Sequence, residues 1–352
     1  MLLAKLNATI RPLKVPTDFL NLISEIEGFK GAWKASCPFA PARLVKLRQQ
    51  ALVASTAASC RIEGNRLSDK EVAAVIERLL DVKPQSRDEA EVAGYATVLK
   101  RIFGSWKEIP ISESSIKTLH REMLAFCEDA AHRGQYKHRD NSIAALRDGK
   151  CVGVIARTAS TEETPVFMQD LVDWVNVSLD EQQLHPLLII GVFVVTFLAI
   201  HPFEDGNGRF SWLLKTLLLL KCGYDFVQYE SLEAVNENGL VTYYSALRLT
   251  QKTLERESPD WEPWLYCFLK SLCSEARKLE KKAARERDLR VLPDISQRIL
   301  ELVEKKGCIK MAELLTKTGV PKSTLRKHID KLVRDGRICQ NGVRKGTFYT
   351  PV

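Results

Sequence analysis

The chain has 352 residues, a formal net charge of +8, 45% apolar residues and 27% charged residues. That length suggests two or three domains, and the composition excludes a collagen, a coiled-coil rod and wholesale disorder. The longest apolar run, Leu187 to Ile200, stops at His201. It falls short of the roughly 18–20 residues a membrane span needs and reads as a buried core helix.

In chain order, Met1 to Pro16 lack the apolar region and cleavage site of a secretion signal. Residues 43–63, rich in Ala, Leu, Gln and Arg, predict a helix that stops at Gly64-Asn65. Further helices are predicted over 69–81 and 88–103, and Ser112–Ser115 would cap another running to Phe126. Residues 141–165 differ: Asp148-Gly149 stands between short β-prone runs, a hairpin signal. Helical pattern returns over 165–176, 186–200, 208–221, 242–254 and 261–291. The last of these is dense in charge and reads as an exposed helix leading out of the body. The nine cysteines form no CxxC pair and are odd in number. This argues for buried thiols in a reducing cytoplasm over a disulfide framework or zinc site.

From Leu292 a new unit begins. Three helices, ending at Gly307, Gly319 and Gly336, precede two short strands around a Gly-rich basic turn. That order is a winged helix-turn-helix. Residues 276–352 carry 20 Lys and Arg against 9 Asp and Glu, a net of +11, whereas the preceding residues carry 32 against 35, a net of −3. The basic excess therefore belongs to the tail and suggests a nucleic-acid module on a near-neutral body. The second helix of such a motif presents its start to the major groove. Here those residues are Lys322, Ser323, Thr324, Arg326 and Lys327, with Arg344 and Lys345 at the wing tip reaching phosphate or the minor groove.

The most informative stretch is His201-Pro202-Phe203-Glu204-Asp205-Gly206-Asn207-Gly208-Arg209, between two apolar helices. Two glycines allow backbone N–H groups to approach an anion at a helix start, where the dipole also favours negative charge. Arg209 is poorly placed for that dipole unless it meets an anion. Asp205 is a hard oxygen ligand suited to Mg²⁺, His201 can act as a base near neutral pH, and Phe203 reads as an anchor into the core. Together they suggest phosphate chemistry on a nucleotide.

This motif resembles the Fic signature HPFx[DE]GNGR at every specified position. The resemblance extends to Gly134-Gln135-Tyr136 and Tyr243-Tyr244-Ser245-Ala246-Leu247, over roughly residues 40–275. It implies a mainly α fold: a helical Fic core with a β-hairpin flap, followed here by the winged helix. It divides the chain into an N-terminal helical region (1–100), the core (101–275), a charged helical linker (276–291) and the winged helix (292–352). It further implies transfer of AMP from ATP to a Ser, Thr or Tyr hydroxyl of a protein. In that scheme His201 is the general base, Asp205 holds Mg²⁺, Gly206, Asn207 and Gly208 form an anion hole, and Arg209 holds a phosphate. A hairpin at about 151–164 would pair with an extended target segment. Related proteins often form homodimers.

Ser59-Cys60-Arg61-Ile62-Glu63-Gly64 matches the family's inhibitory pattern [ST]xxxE[GN], with Ser59 and Glu63 four apart on one helix face. In the family this glutamate pairs with a second motif arginine. Here that position is Trp212. The resemblance thus leaves two readings: an autoinhibited protein adenylyltransferase with a DNA-binding tail, its activity reduced by Trp212, or a DNA-binding regulator with a weak or silent nucleotide site.

Overall fold

The computed structural model describes residues 15–351 apart from 38, 80, 129–130, 148–149, 183, 238, 291 and 343–345. Two compact units divide after Glu280.

The first unit is almost wholly helical. Helix α1 (Thr17–Ala35) has no counterpart among the helices read from the sequence. Its buried residues Phe19, Ile26 and Trp33 recur every seven positions, a stripe too narrow to stand out. Aromatic contacts dock it: Phe29 meets Phe226 edge-on at 5.0 Å and Trp33 lies 5.3 Å from Tyr229. Helix α2 (Pro41–Ile62) opens with proline in its first turn, where a missing N–H costs nothing. Helix α3 (Asp69–Arg78) starts in a Ser68/Glu71 capping box, and serines cap α4 (Arg87–Ser105) and α5 (Glu113–Met123).

Strands β1 (Ser142–Arg147) and β2 (Lys150–Arg157) form the hairpin, antiparallel with two register shifts. It begins and ends earlier than the 151–164 expected for the flap, because Thr158 turns back to bond Asn141 and helix α6 (Glu163–Glu181) starts at once. The turn pair Asp148-Gly149 lies outside the described residues.

Helices α7 (Pro186–Ile200) and α8 (Asn207–Lys221) are the core. Both are buried nearly all round; α7 is apolar on every face, whereas α8 also buries Arg209 and Lys215. Gly191 admits α11 (Glu262–Arg290) closely: Trp264 Nε1 donates to the Gly191 carbonyl at 2.7 Å, and a Cβ there would meet Leu265 at 2.5 Å. A short 3-10 turn (Asp225–Gln228), α9 (Leu232–Glu237) and α10 (Leu240–Gln251) complete the unit. The charged stretch of α11 is not exposed throughout: Ala276, Leu279 and Ala283 are buried at helical spacing.

The second unit holds α12 (Asp294–Lys306), β3 (Ile309–Lys310), α13 (Met311–Thr318), α14 (Lys322–Arg334), β4 (Ile338–Asn341) and β5 (Phe348–Pro351). The sheet order is β3-β5-β4, antiparallel throughout, so a two-residue strand adds to the two read from sequence. Ile299, Val303, Leu314, Leu325, Ile329 and Leu332 form its core. Among the described residues no helix is long and apolar enough to cross a membrane, and the described cysteines are all free thiols.

Ile329 is fully buried in a small core, so Ile329→Ala should cost this unit about 2–5 kcal/mol. All six tryptophans precede residue 280. The loss should therefore show in urea titrations followed by far-UV circular dichroism, in a phase that tryptophan fluorescence does not report.

Candidate functional site

The loop from His201 to Gly206 leaves the end of α7 and enters α8, so it sits where the two core helices meet. His201 closes α7 in the left-handed region, φ +53, which a non-glycine side chain holds only under constraint. The constraint comes from residues that sequence reading did not single out. Lys137, 3% exposed, donates from Nζ to the Ile200 carbonyl at 3.0 Å, to Asn141 Oδ1 at 2.9 Å and to Thr158 Oγ1 at 3.1 Å. Asn141 donates in turn to the carbonyls of His201 and Phe203 at 3.3 and 3.0 Å. Lys137 follows directly on Gly134-Gln135-Tyr136, which was the available signal. Burial pushes its ammonium down to about 8, so it remains charged at neutral pH.

The loop interior is packed, not hollow. Phe203 is fully buried, as expected of an anchor, with its ring stacked on the His120 imidazole at 3.6 Å. Gly134 N–H donates to His120 Nδ1 at 3.0 Å, so Nε2 carries the proton and donates to the Asp205 carbonyl at 3.0 Å. Asn207 commits its side chain to the loop itself: Oδ1 accepts from Phe203 N–H at 3.0 Å and Nδ2 donates to Phe203 O at 2.7 Å. Any contact Asn207 makes with an anion therefore falls to its backbone. Gly206 has φ +79, a backbone conformation that favours glycine, and a Cβ there would displace the tip of the Met123 side chain, 2.7 Å away.

The His201 ring donates from Nδ1 toward the Leu198 carbonyl at 3.3 Å, which leaves Nε2 as the basic nitrogen. Burial pushes its pKa down to about 4, so the ring is neutral at physiological pH.

Arg209 does meet an anion, one that the protein supplies. Its side chain is 4% exposed, with Nη1 3.1 Å from Glu91 Oε2 and Nη2 3.5 Å from Asp205. Glu91 was not legible as a site residue, since it stands on α4 far from the motif with no local pattern to mark it. Asp205 accepts from Gly206 N–H at 2.7 Å and is 45% exposed, with Arg87 Nη2 at 3.8 Å. Arg87, Ser86, His132, Glu204 and Asp205 line a cleft of about 500 Å³.

Glu63 caps the end of α2, one residue beyond its last helical residue and four beyond Ser59. Ser59 is wholly buried beside Tyr95, whose hydroxyl donates to Glu233 at 2.9 Å. The Glu63 carboxylate instead reaches the start of α8: a Cβ on Gly208 would lie 2.1 Å from Glu63 Oε1. Crowding by protein raises its pKa, opposed by the Arg209 charge. Trp212 is 2% exposed, stacked on Tyr243 at 5.2 Å, with Lys215 Nζ 3.3 Å from the ring centre on the way to buried Glu233 and Glu275.

In the second unit Lys322, Ser323, Arg326 and Lys327 are exposed along the start of α14 and Thr324 is half-buried, while Leu325 and Ile329 face the core. Ser296 Oγ lies 2.8 Å from His328 Nδ1, so His328 bonds within the unit. Arg344 and Lys345 lie outside the described residues.

Burial also pushes His120 down to about 4. Both His120 and His201 therefore have folded values below their unfolded value of 6.5. Their stabilising contribution is complete above pH 6.5 and falls as the pH drops toward 4, by about 1.4 kcal/mol per pH unit for each histidine. Urea unfolding at pH 7, 6 and 5 should show this slope, and His120→Gln should be less stable at pH 7 yet show a shallower acid slope.

Comparison with known proteins gives the same two parts. Residues 110–219 match the Fic/DOC family and residues 292–338 match a family described as winged helix-turn-helix DNA-binding. Two protein adenylyltransferases Fic are similar in sequence. The Drosophila willistoni protein is 28% identical over 209 residues, 56% of this chain and 40% of that one. The Drosophila grimshawi protein is 27% identical over 228 residues, 61% and 45%. The match thus spans less than half the length of these curated relatives. Among solved structures, a Fic family protein from Desulfovibrio desulfuricans G20 superposes with TM-score 0.63 at 22% identity, covering 97% of this chain and 98% of that one. A Fic domain containing signaling protein from Bacteroides thetaiotaomicron VPI-5482 gives 0.52 at 25% identity, covering 75% and 95%.

Proposed function

We propose that this chain, which carries a Fic domain and a C-terminal winged helix-turn-helix, moves AMP from ATP to a Ser, Thr or Tyr hydroxyl of a protein. One observation carries the reading: a base with a free Nε2, His201, stands eight residues from a buried arginine, across a glycine-bounded helix start. The target hydroxyl oxygen attacks the α-phosphorus and its proton passes to His201 Nε2. The bond from the α-phosphorus to the bridging oxygen breaks, and pyrophosphate leaves. Backbone N–H groups at the start of α8 face the phosphate oxygens. Arg209 adds a fixed positive charge, and its buried Nε has no partner among the described residues.

Asp205 fits Mg²⁺. It is a single part-exposed carboxylate, and Mg²⁺ takes one or two carboxylates alongside phosphates. When bound, the ion neutralises phosphate charge. The hairpin β1–β2 is a two-stranded sheet, so its outer edge can add an extended target strand.

Glu63 is the inhibitor in this scheme. With Trp212 in the arginine position, the carboxylate lies against Gly208 and is favoured by the Arg209 charge, where it competes with phosphate for the space at the α8 start. Sealed Trp212 also supports the second reading, a DNA-binding regulator whose nucleotide site is weak or silent.

With ATP labelled at the α-phosphate, the full chain should label itself or a target, whereas γ-label should not be retained. His201→Ala should lose this by about 100-fold or more while still binding ATP. Glu63→Gly should raise it by about tenfold, the weight of one charge-assisted contact. If neither the wild type nor Glu63→Gly incorporates α-label, the transferase reading fails and the regulator reading stands.

The basic start of α14 supports DNA binding through phosphate contacts. Fluorescence anisotropy should show affinity falling steeply with salt, and Lys322→Ala or Arg326→Ala should each lower the slope by about 1. Salt-independent binding would contradict this.

A further inference from the structure

A nucleotide triphosphate brings about four negative charges to a loop already ringed by Asp205, Glu91 and Glu63, so one buried arginine is a poor match. The remaining cations of the core cannot move to it. Position 212 is a tryptophan sealed at 2% exposure against Tyr243. Lys215 is buried behind that ring, and Lys137 is committed to the Ile200 carbonyl, Asn141 and Thr158.

Arg87 is different. It is the first residue of α4, its side chain is 78% exposed, and it lines the cleft that also contains Asp205. Its Nε lies 3.3 Å from Glu91 Oε1 and its Nη2 3.8 Å from Asp205 Oδ2. Arg87 and Arg209 therefore flank the same two carboxylates, one from the solvent side and one from the buried side. Exposed ion pairs of this kind hold a long side chain weakly. A guanidinium exchanges such a carboxylate for a phosphate readily, because both offer it paired oxygens.

We infer that Arg87, reaching in from α4, is the second arginine contact to the nucleotide, beside Arg209. His201 marks the α-phosphate, where the proton is taken. Arg87 adjoins Asp205, not His201, so it meets the phosphates on the leaving side of the scissile bond. It is a specificity residue for the pyrophosphate half of ATP, and this rests on the nucleotide reading of the loop.

The test is isothermal titration of the full-length wild type, Arg87→Ala and Arg87→Lys with ATP and with AMP, in Mg²⁺. Arg87→Ala should weaken ATP about tenfold and leave AMP within about twofold, with Arg87→Lys intermediate for ATP. ATP affinity unchanged in Arg87→Ala, or equal losses for ATP and AMP, would overturn the assignment while leaving the nucleotide site intact. Failure of the wild type to bind ATP at all would instead overturn the nucleotide reading itself, and the inference with it.

Discussion

The site depends on the ion pair between Arg209 and Glu91. A guanidinium this buried needs a carboxylate at hydrogen-bonding distance, and removing one partner of such a pair typically costs about 3–5 kcal/mol. Glu91 does more than neutralise. It accepts from Asn65 Nδ2 at 3.3 Å, and Asn65 also donates to the Asp88 carbonyl at 3.0 Å. One carboxylate thus ties the start of α8, the body of α4 and the chain just beyond α2. Asn65 lies two residues past Glu63, so this anchor also sets Glu63 over Gly208. The proposed inhibitor and the proposed phosphate arginine are positioned by the same contact.

A second constraint acts on the base. The carbonyls of Ile200, His201 and Phe203 are bound by Lys137 and Asn141 from the foot of the hairpin, and the left-handed turn at His201 persists because these bonds overdetermine it. The hairpin is therefore coupled through its base to the histidine that would take the target's proton. Burial keeps that histidine neutral, which leaves its Nε2 lone pair available but makes it a weak base. Such a group acts efficiently only when the hydroxyl it serves is held in line and the charge that develops is stabilised, which in the proposed reaction would fall to the adjacent helix start.

Much of this was legible from the sequence where chemistry and local spacing coincide. Helix α7 matched its expected limits because a proline opens it and a long apolar run fills it. The motif loop announced itself by its glycines and by Phe203. The winged helix showed in its glycine-terminated helices. Other features arise only in three dimensions. Glu91, Lys137 and Asn141 act on the loop from other elements, and only Lys137 has a marker near it in sequence, the adjoining Gly134-Gln135-Tyr136. Helix α1 escaped because its apolar stripe is one residue per two turns. Asn207 reads as part of an anion hole, and only the fold shows that its side-chain amide is committed to Phe203. Trp212 could be read as a lost arginine, but not as a ring that seals the position by stacking on Tyr243.

The central claim is that the helix start at 206–209 receives nucleotide phosphate. The most direct measurement is a titration of the isotopically labelled full-length chain with Mg²⁺-ATP, following the Gly206, Gly208 and Arg209 amides and the His201 ring by nuclear magnetic resonance. The account predicts saturable shifts concentrated on these groups and on Glu63 as its carboxylate is displaced. Saturable binding that shifts other residues and leaves these unmoved, or no binding at millimolar ATP, would contradict it.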